Sequence, residues 1–253
     1  RYAFLAAKLH RQHGHHLDAD RLLSVAEKLA REEKDWETNV RVRLARGTVE
    51  VVHGRYDRAK LLMEKALQTC KQHRLAGAVL AEAHHDLVVA ETGLKDYQAA
   101  AEHAEAAMGA YGSGHPRLPH LAHDLAGLWM EQGDYQNALT VLQSLLARHF
   151  HYDPVLRLMT YASAVRAAAG SGDTAVYTRL AGELDSALAQ AAQVTVRHGP
   201  AMVDAAWGAS IAGDRPHLER WAALAARYGT QMEQPGVVED ARTVAQKRSA
   251  PRT

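Results

Sequence analysis

The stretch LAGLWMEQGDYQNALTVL, residues 125–142, decides the architecture of this chain. Leu125, Ala126 and Trp129 run at helical spacing up to Gly133-Asp134-Tyr135. Ala138, Val141, Leu142, Leu145 and Leu146 run away from it at i, i+3, i+4, i+7 spacing. The glycine supplies the left-handed or open conformation that ends the first helix, and the aspartate caps the second. The same punctuation recurs at Gly14-His15-His16, Gly54-Arg55-Tyr56, Lys95-Asp96-Tyr97, Gly172-Asp173-Thr174 and Gly213-Asp214-Arg215. Counted from the third residue of each hinge, the steps are 40, 41, 38, 39 and 41. A period that steady describes an array of one helix-turn-helix unit, stacked as a solenoid.

The positions around the hinges repeat as well. Nine residues before the reference position sit Ala7, Gly47, Val88, Ala126, Val165 and Ala206. Three after it come Ala19, Ala59, Ala100, Ala138, Tyr177 and Leu218, and ten after it Ala26, Ala66, Ala107, Leu145, Leu184 and Ala225. Small residues at fixed places on two successive helices let their backbones approach closely. Leu23, Met63, Leu142, Leu125 and Trp129 fill the remaining volume.

Composition agrees with helix and narrows the function classes. Hydrophobic residues make up 47% of the 253, weighted to Ala and Leu, with only two Phe. A net charge of +1 creates no global field to draw nucleic acid or an acidic membrane. The single cysteine, Cys70, excludes an internal disulfide framework and fits a reducing, cytoplasmic setting. It reads as a packed helix residue. No apolar run is long enough to span a bilayer. The chain opens on Arg1-Tyr2-Ala3-Phe4, without an initiator Met and already in helical rhythm, which is the expectation for part of a longer polypeptide. The Arg-over-Lys, Ala-rich composition suggests a high-GC bacterium.

The spacing predicts helices over 1–13, 16–33, 36–53, 56–73, 76–93, 96–111, 117–132, 135–149, 154–170, 173–193, 200–212, 215–229 and 235–247. Grouped in pairs, they give units of about 1–34, 35–75, 76–115, 116–152, 153–196 and 197–232, within an array over 1–229. Gly112-Ser113-Gly114-His115-Pro116 and His151-Tyr152-Asp153-Pro154 read as turns between units. Asp153 is the expected cap, with Pro154 in the first helical position. The helix over 235–247 would cover the end of the stack, followed by a basic tail over 248–253.

These positions resemble the tetratricopeptide repeat, most closely at Leu125-Ala126…Trp129…Gly133-Asp134-Tyr135…Ala138…Leu142 and at Gly47…Gly54-Arg55-Tyr56…Ala59…Met63…Ala66. The resemblance runs from about Tyr2 to Tyr228. It departs in a period longer than the usual length of about 34. Closing prolines occur only around Asp153-Pro154 and Gly199-Pro200, and the last two units lack the hinge tyrosine. The resemblance implies an all-α, right-handed α-solenoid of about six helix pairs plus a C-terminal capping helix. It also implies that the first helix of each pair lines an inner surface. That stripe would carry Arg1, Phe4, Lys8 and Arg11, then Arg41, Leu44 and Thr48. Glu82, His85, Val89, His120, His123 and Met130 would follow, and Met159, Arg166, Val203 and Trp207 would finish it.

The sequence offers little chemistry besides. His120 and His123 share a helix face and His84-His85 lies one unit earlier, but no Cys or acidic partner sits at ligand spacing for a metal. His85-Asp86-Leu87 and His123-Asp124-Leu125 occupy equivalent places, with Asp204, Ser163 and Ala45 in the aspartate slot elsewhere. A short polar residue there can bond a neighbouring helix while the histidine points into the groove. There is no nucleophile elbow, and Gly112-Ser113-Gly114 lacks the lysine and strand of a phosphate loop. The expectation is therefore a non-enzymatic module without cofactor or metal. It binds a protein or peptide through Lys8, Arg11, Arg41, His85, His123, Arg166 and Trp207. The acidic part of such a ligand would lie toward Arg11 and Arg41, and an apolar anchor near Trp207. Bacterial regulators that join a DNA-binding domain to long arrays of this repeat look similar. The chain shows no basic recognition helix, so contact with nucleic acid or membrane is not expected from it. A homodimer, a scaffold or self-association role, and an accessory repeat domain of an enzyme remain open.

Overall fold

The computed structural model describes residues 2–148, 153–191 and 193–247. The expectations placed on Arg1, on residue 149, on His151-Tyr152, on residue 192 and on the tail over 248–253 lie outside them. Among the described residues the chain forms thirteen helices and no strand: α1 (Tyr2–Gln12), α2 (His16–Glu32), α3 (Trp36–Val52), α4 (Tyr56–Gln72), α5 (Ala78–Gly93), α6 (Tyr97–Tyr111), α7 (Leu118–Glu131), α8 (Tyr135–Ala147), α9 (Pro154–Gly170), α10 (Thr174–Ala189), α11 (His198–Ala212), α12 (Arg215–Gln231) and α13 (Pro235–Gln246). α10 departs most from the expected bounds, ending at Ala189, while α5 begins later at Ala78, α11 earlier at His198, and α12 runs on to Gln231.

Each hinge is one backbone motif. The N–H of residue i+5 donates to the carbonyl of residue i at His15–His10, Arg55–Glu50, Asp96–Glu91, Asp134–Trp129, Asp173–Ala168 and Asp214–Ala209. This closure satisfies orphan carbonyls at the end of the first helix and requires a left-handed residue just before the donor. Gly14, Gly54, Gly133, Gly172 and Gly213 fill that place, with φ between 70° and 81°. Lys95 does so without being glycine, at φ 62°. Asp96, Asp134, Asp173 and Asp214 then accept from the backbone N–H three residues on, as does Asp153 ahead of Pro154. His15 and Arg55 make no side-chain cap.

The chain divides into two compact units, Arg1–Leu128 and Trp129–Thr253. In the first, α1 packs on α2 and α3, α3 on α4 and α5, and α5 on α6. Its core joins Leu44, Met63, Cys70 and Leu87 with alanines that admit close approach, and Leu121 and Leu128 of α7 pack on Ala81, Val88 and Ala100. In the second, α9 packs on α8, α10 and α11, and α13 lies on α11 and α12. The residues at the three repeated offsets, with Leu23, Met63 and Leu142, are buried, while Leu125 and Trp129 are partly buried. Cys70 is buried too, and burial pushes its thiol up to about 11, so it is a packing residue.

Candidate functional site

First helices touch first helices: α1 meets α3 and α3 meets α5 in the N-terminal unit, and α9 meets α11 in the C-terminal unit. The face they make therefore carries one side-chain stripe per unit.

In the N-terminal unit Lys8 and Arg11 stand one turn apart on α1, both half-buried. Arg41 of α3 donates through Nε to Glu82 of α5 at 3.1 Å and reaches Glu37 on its own helix at 3.3 Å. Burial holds the Lys8 ammonium below its usual range, and the positive charges of Arg117, Arg11 and Arg41 add to it, with Glu82 opposing. Arg117, just ahead of α7, is thus a further positive charge acting on Lys8 that the sequence reading did not single out. It stands outside the helical periodicity, in a turn.

His85 and His123 do not reach outward as expected. His85 is 3% exposed, with Nε2 2.9 Å from Asp124 Oδ2 and Nδ1 3.2 Å from the Tyr111 hydroxyl. His123 Nδ1 lies 3.3 Å from the other oxygen of Asp124. The aspartate slot bonds a neighbouring helix, as its chemistry suggested, but its partner is the histidine of the unit before. Burial alone would raise the Asp124 carboxyl; the two histidines hold it far below the ordinary carboxylate range. Asp86, in the equivalent slot, is pushed up by burial, against the pull of His85, Arg117 and Arg11. Other histidines meet in pairs, His10 with His15, His16 with His53 and His84 with His103.

In the C-terminal unit the anchors are engaged internally. Arg166 donates to Glu131 at 2.7 Å and to Asp204 at 3.0 Å, while Ser163 donates to the second oxygen of Asp204. Burial works against the guanidinium, and the two carboxylates more than offset it, so it stays charged and paired. Trp207 is partly buried, and the Lys247 ammonium sits 3.9 Å above its ring. A second network on the outer helices ties Asp185 to Arg220, to the Trp221 indole N–H and to His217, which also meets Asp214. One shallow hollow lies between α12 and α13 at Pro235 and Val238, and another between α2 and α3 at Glu27 and Arg46.

No family model and no curated protein matches the sequence. Solved structures do. The structure of NprR in complex with its cognate peptide NprX aligns with a TM-score of 0.68 at 14% identity, over 96% of this chain and 71% of that one. Rap protein complexed with Competence and Sporulation Factor aligns at 0.65 and 12%, over 96% and 72%. BtubC from P. vanneervenii aligns at 0.61 and 14%, over 92% of both chains. A putative kinesin light chain of Podosopora anserina, with TPR-like repeats, aligns at 0.55 and 17%. The fold is therefore that of the TPR-like helical repeat proteins. Among the described residues no helix is long and apolar enough to cross a membrane.

Proposed function

We infer that this chain is a non-enzymatic protein- or peptide-binding module, the sensing or interaction domain of a bacterial regulatory protein. The observation that carries the reading is the likeness to NprR and Rap, which extends over 96% of the chain. One of those structures holds a cognate peptide and the other holds Competence and Sporulation Factor. Two observations support it, each within its own unit: the N-terminal first helices carry cations at α1 and α3 and bonded polar groups at α5, and the C-terminal first helices carry Arg166 on α9 and Trp207 on α11. A random dodecapeptide library panned on the immobilised chain tests this. Enrichment of sequences that compete with one another for one site is expected. Recovery of no binder would sink the reading.

One observation favours a docking role beside it. Tyr2, Leu5 and Leu9 form an i, i+3, i+7 stripe on α1 and are 91%, 54% and 59% exposed. Self-association through that stripe predicts a concentration-dependent dimer in sedimentation that Leu5→Asp abolishes. A monomer at all concentrations would exclude it.

A further inference from the structure

We propose that the face of the Trp207 indole is a seat for a lysine or arginine side chain of a bound peptide, and that Lys247 fills it from within until the ligand's cation takes its place. The proposal rests on the peptide-binding reading above and names one contact that the ligand makes.

The position of Lys247 follows from the repeat. The turn before α13 closes as the turn before α3 does: the Gln234 N–H donates to the carbonyl of Gly229, and the Asp35 N–H to that of Ala30. A left-handed residue, Glu233 or Lys34, stands just ahead of each donor. Thirteen residues beyond Asp35, Asp153 and Gln234 come Thr48, Arg166 and Lys247. Ala241 and Val244 occupy the places that Thr160 and Ser163 hold in α9, and all four are buried. By this register α13 is a further first helix, and Lys247 continues the column of Arg166 and Trp207. Those two each lie eight residues before the third residue of a hinge, Thr174 and Arg215. Beside Trp207, α9 and α11 touch through backbone, since a Cβ on Gly208 would lie 2.9 Å from Arg166 Cα.

The surroundings favour a positive charge. The face of an indole ring is the electron-rich side of its quadrupole, and tryptophan is the best of the aromatic residues at holding a cation there. The Lys247 ammonium already lies 3.9 Å from the ring centroid. In the same column Arg166 meets two carboxylates, Glu131 and Asp204, so that network carries one more negative charge than positive. Lys247 itself is exposed and lies past the last turn of α13, with extended backbone at φ −65° and ψ 114°. Its side chain can leave the ring while Val244 stays packed. Trp221 offers no such seat: its side chain is fully buried and its indole N–H donates to Asp185. An internal cation of the same chemistry as the ligand's is a competitor. It lowers the apparent affinity by the fraction of molecules whose seat it fills.

The test follows the Trp207 indole N–H by NMR in the whole chain, assigned with Trp207→Phe. N-acetyl-arginine amide is titrated in, and N-acetyl-norleucine amide separately. A saturable shift is expected with the arginine compound and none with the neutral one. Lys247→Ala is expected to bind the arginine compound about fourfold more tightly, because the competing contact is gone. Lys247→Arg is expected to bind as the parent chain does. Circular dichroism checks that each variant is folded. Equal affinity in the parent and Lys247→Ala, an equal response to the norleucine compound, or no shift in either chain overturns the proposal. If library panning yields peptides whose affinity neither Lys247→Ala nor Trp207→Leu alters, the seat fails and the peptide-binding reading stands. If panning yields no peptide, that reading fails, and the titration still decides the seat.

Discussion

The hinge tyrosine earns its place one unit further along the chain. A Cβ built on Gly93 would lie 2.3 Å from the Tyr56 ring, and one on Gly170 would lie 2.4 Å from the ring of Tyr135. Neither glycine has a positive φ; each ends a first helix against the ring of the preceding second helix. Gly208 is tighter in kind, since its Cβ would meet the backbone of Arg166 at 2.9 Å. Gly93→Ala should therefore cost about 1–3 kcal/mol by overpacking. Gly109→Ala, in a helix with nothing within 4 Å, should gain about 0.5–1 kcal/mol from reduced backbone entropy in the unfolded chain. Urea midpoints decide this. In a Tyr56→Ala background the Gly93→Ala penalty should vanish, and a penalty that persists would refute the ring contact.

At the level of the helix and its turns, the sequence was legible wherever local rules act alone. Glycine at positive φ and aspartate caps are short-range, so the hinges and most helix bounds could be read from residue types. Three further turns follow the same i+5 to i closure, at Asp35–Ala30, Leu75–Cys70 and Gln234–Gly229. Their left-handed residues are Lys34, Arg74 and Glu233, which carry no such signal. The site was less legible for the converse reason. His85 and Arg166 are polar at the expected positions, but their partners, Asp124 and Asp204, lie 39 and 38 residues away. Only packing reveals that they are consumed internally. The half-buried His84 also gives α5 a pH response. Burial, then His103 and Lys71, lower the His84 imidazole to about 4 from 6.5, against Glu91. The folded state thus prefers the neutral ring while the unfolded chain takes up a proton first. The stability this gives is complete above pH 6.5 and is lost as pH falls from there to about 4. Asp124, depressed instead, loses its contribution in a lower window, below the ordinary aspartate range. Urea unfolding at pH 7.5 and 4.5 should show a drop in midpoint that His84→Gln reduces; an equal drop in both would assign it elsewhere.

Across the whole chain, an array whose units contact only their neighbours has ends, and the end of the C-terminal unit is covered by α13. Val237, Ala241 and Val244 of this helix are buried, and Val237 fits against Gly199 and Gly229, where a Cβ would lie within 2.9 and 3.1 Å. Just ahead of it, Gln234 donates to the carbonyl of Val196, and just after it Lys247 covers Trp207. These contacts all fall on α11, α12 and the segment before them. Truncation after Glu233 should then expose apolar surface on α11 and α12 and leave Trp207 without its cation. Because stability in such arrays sums over neighbouring contacts, the loss should stay close to the cut. Native-state hydrogen exchange should show faster exchange in α11 and α12, with the α3 and α4 amides unchanged. Uniformly faster exchange along the chain would mean that the molecule unfolds as one cooperative body, and the account of an array stabilised by nearest neighbours would be wrong.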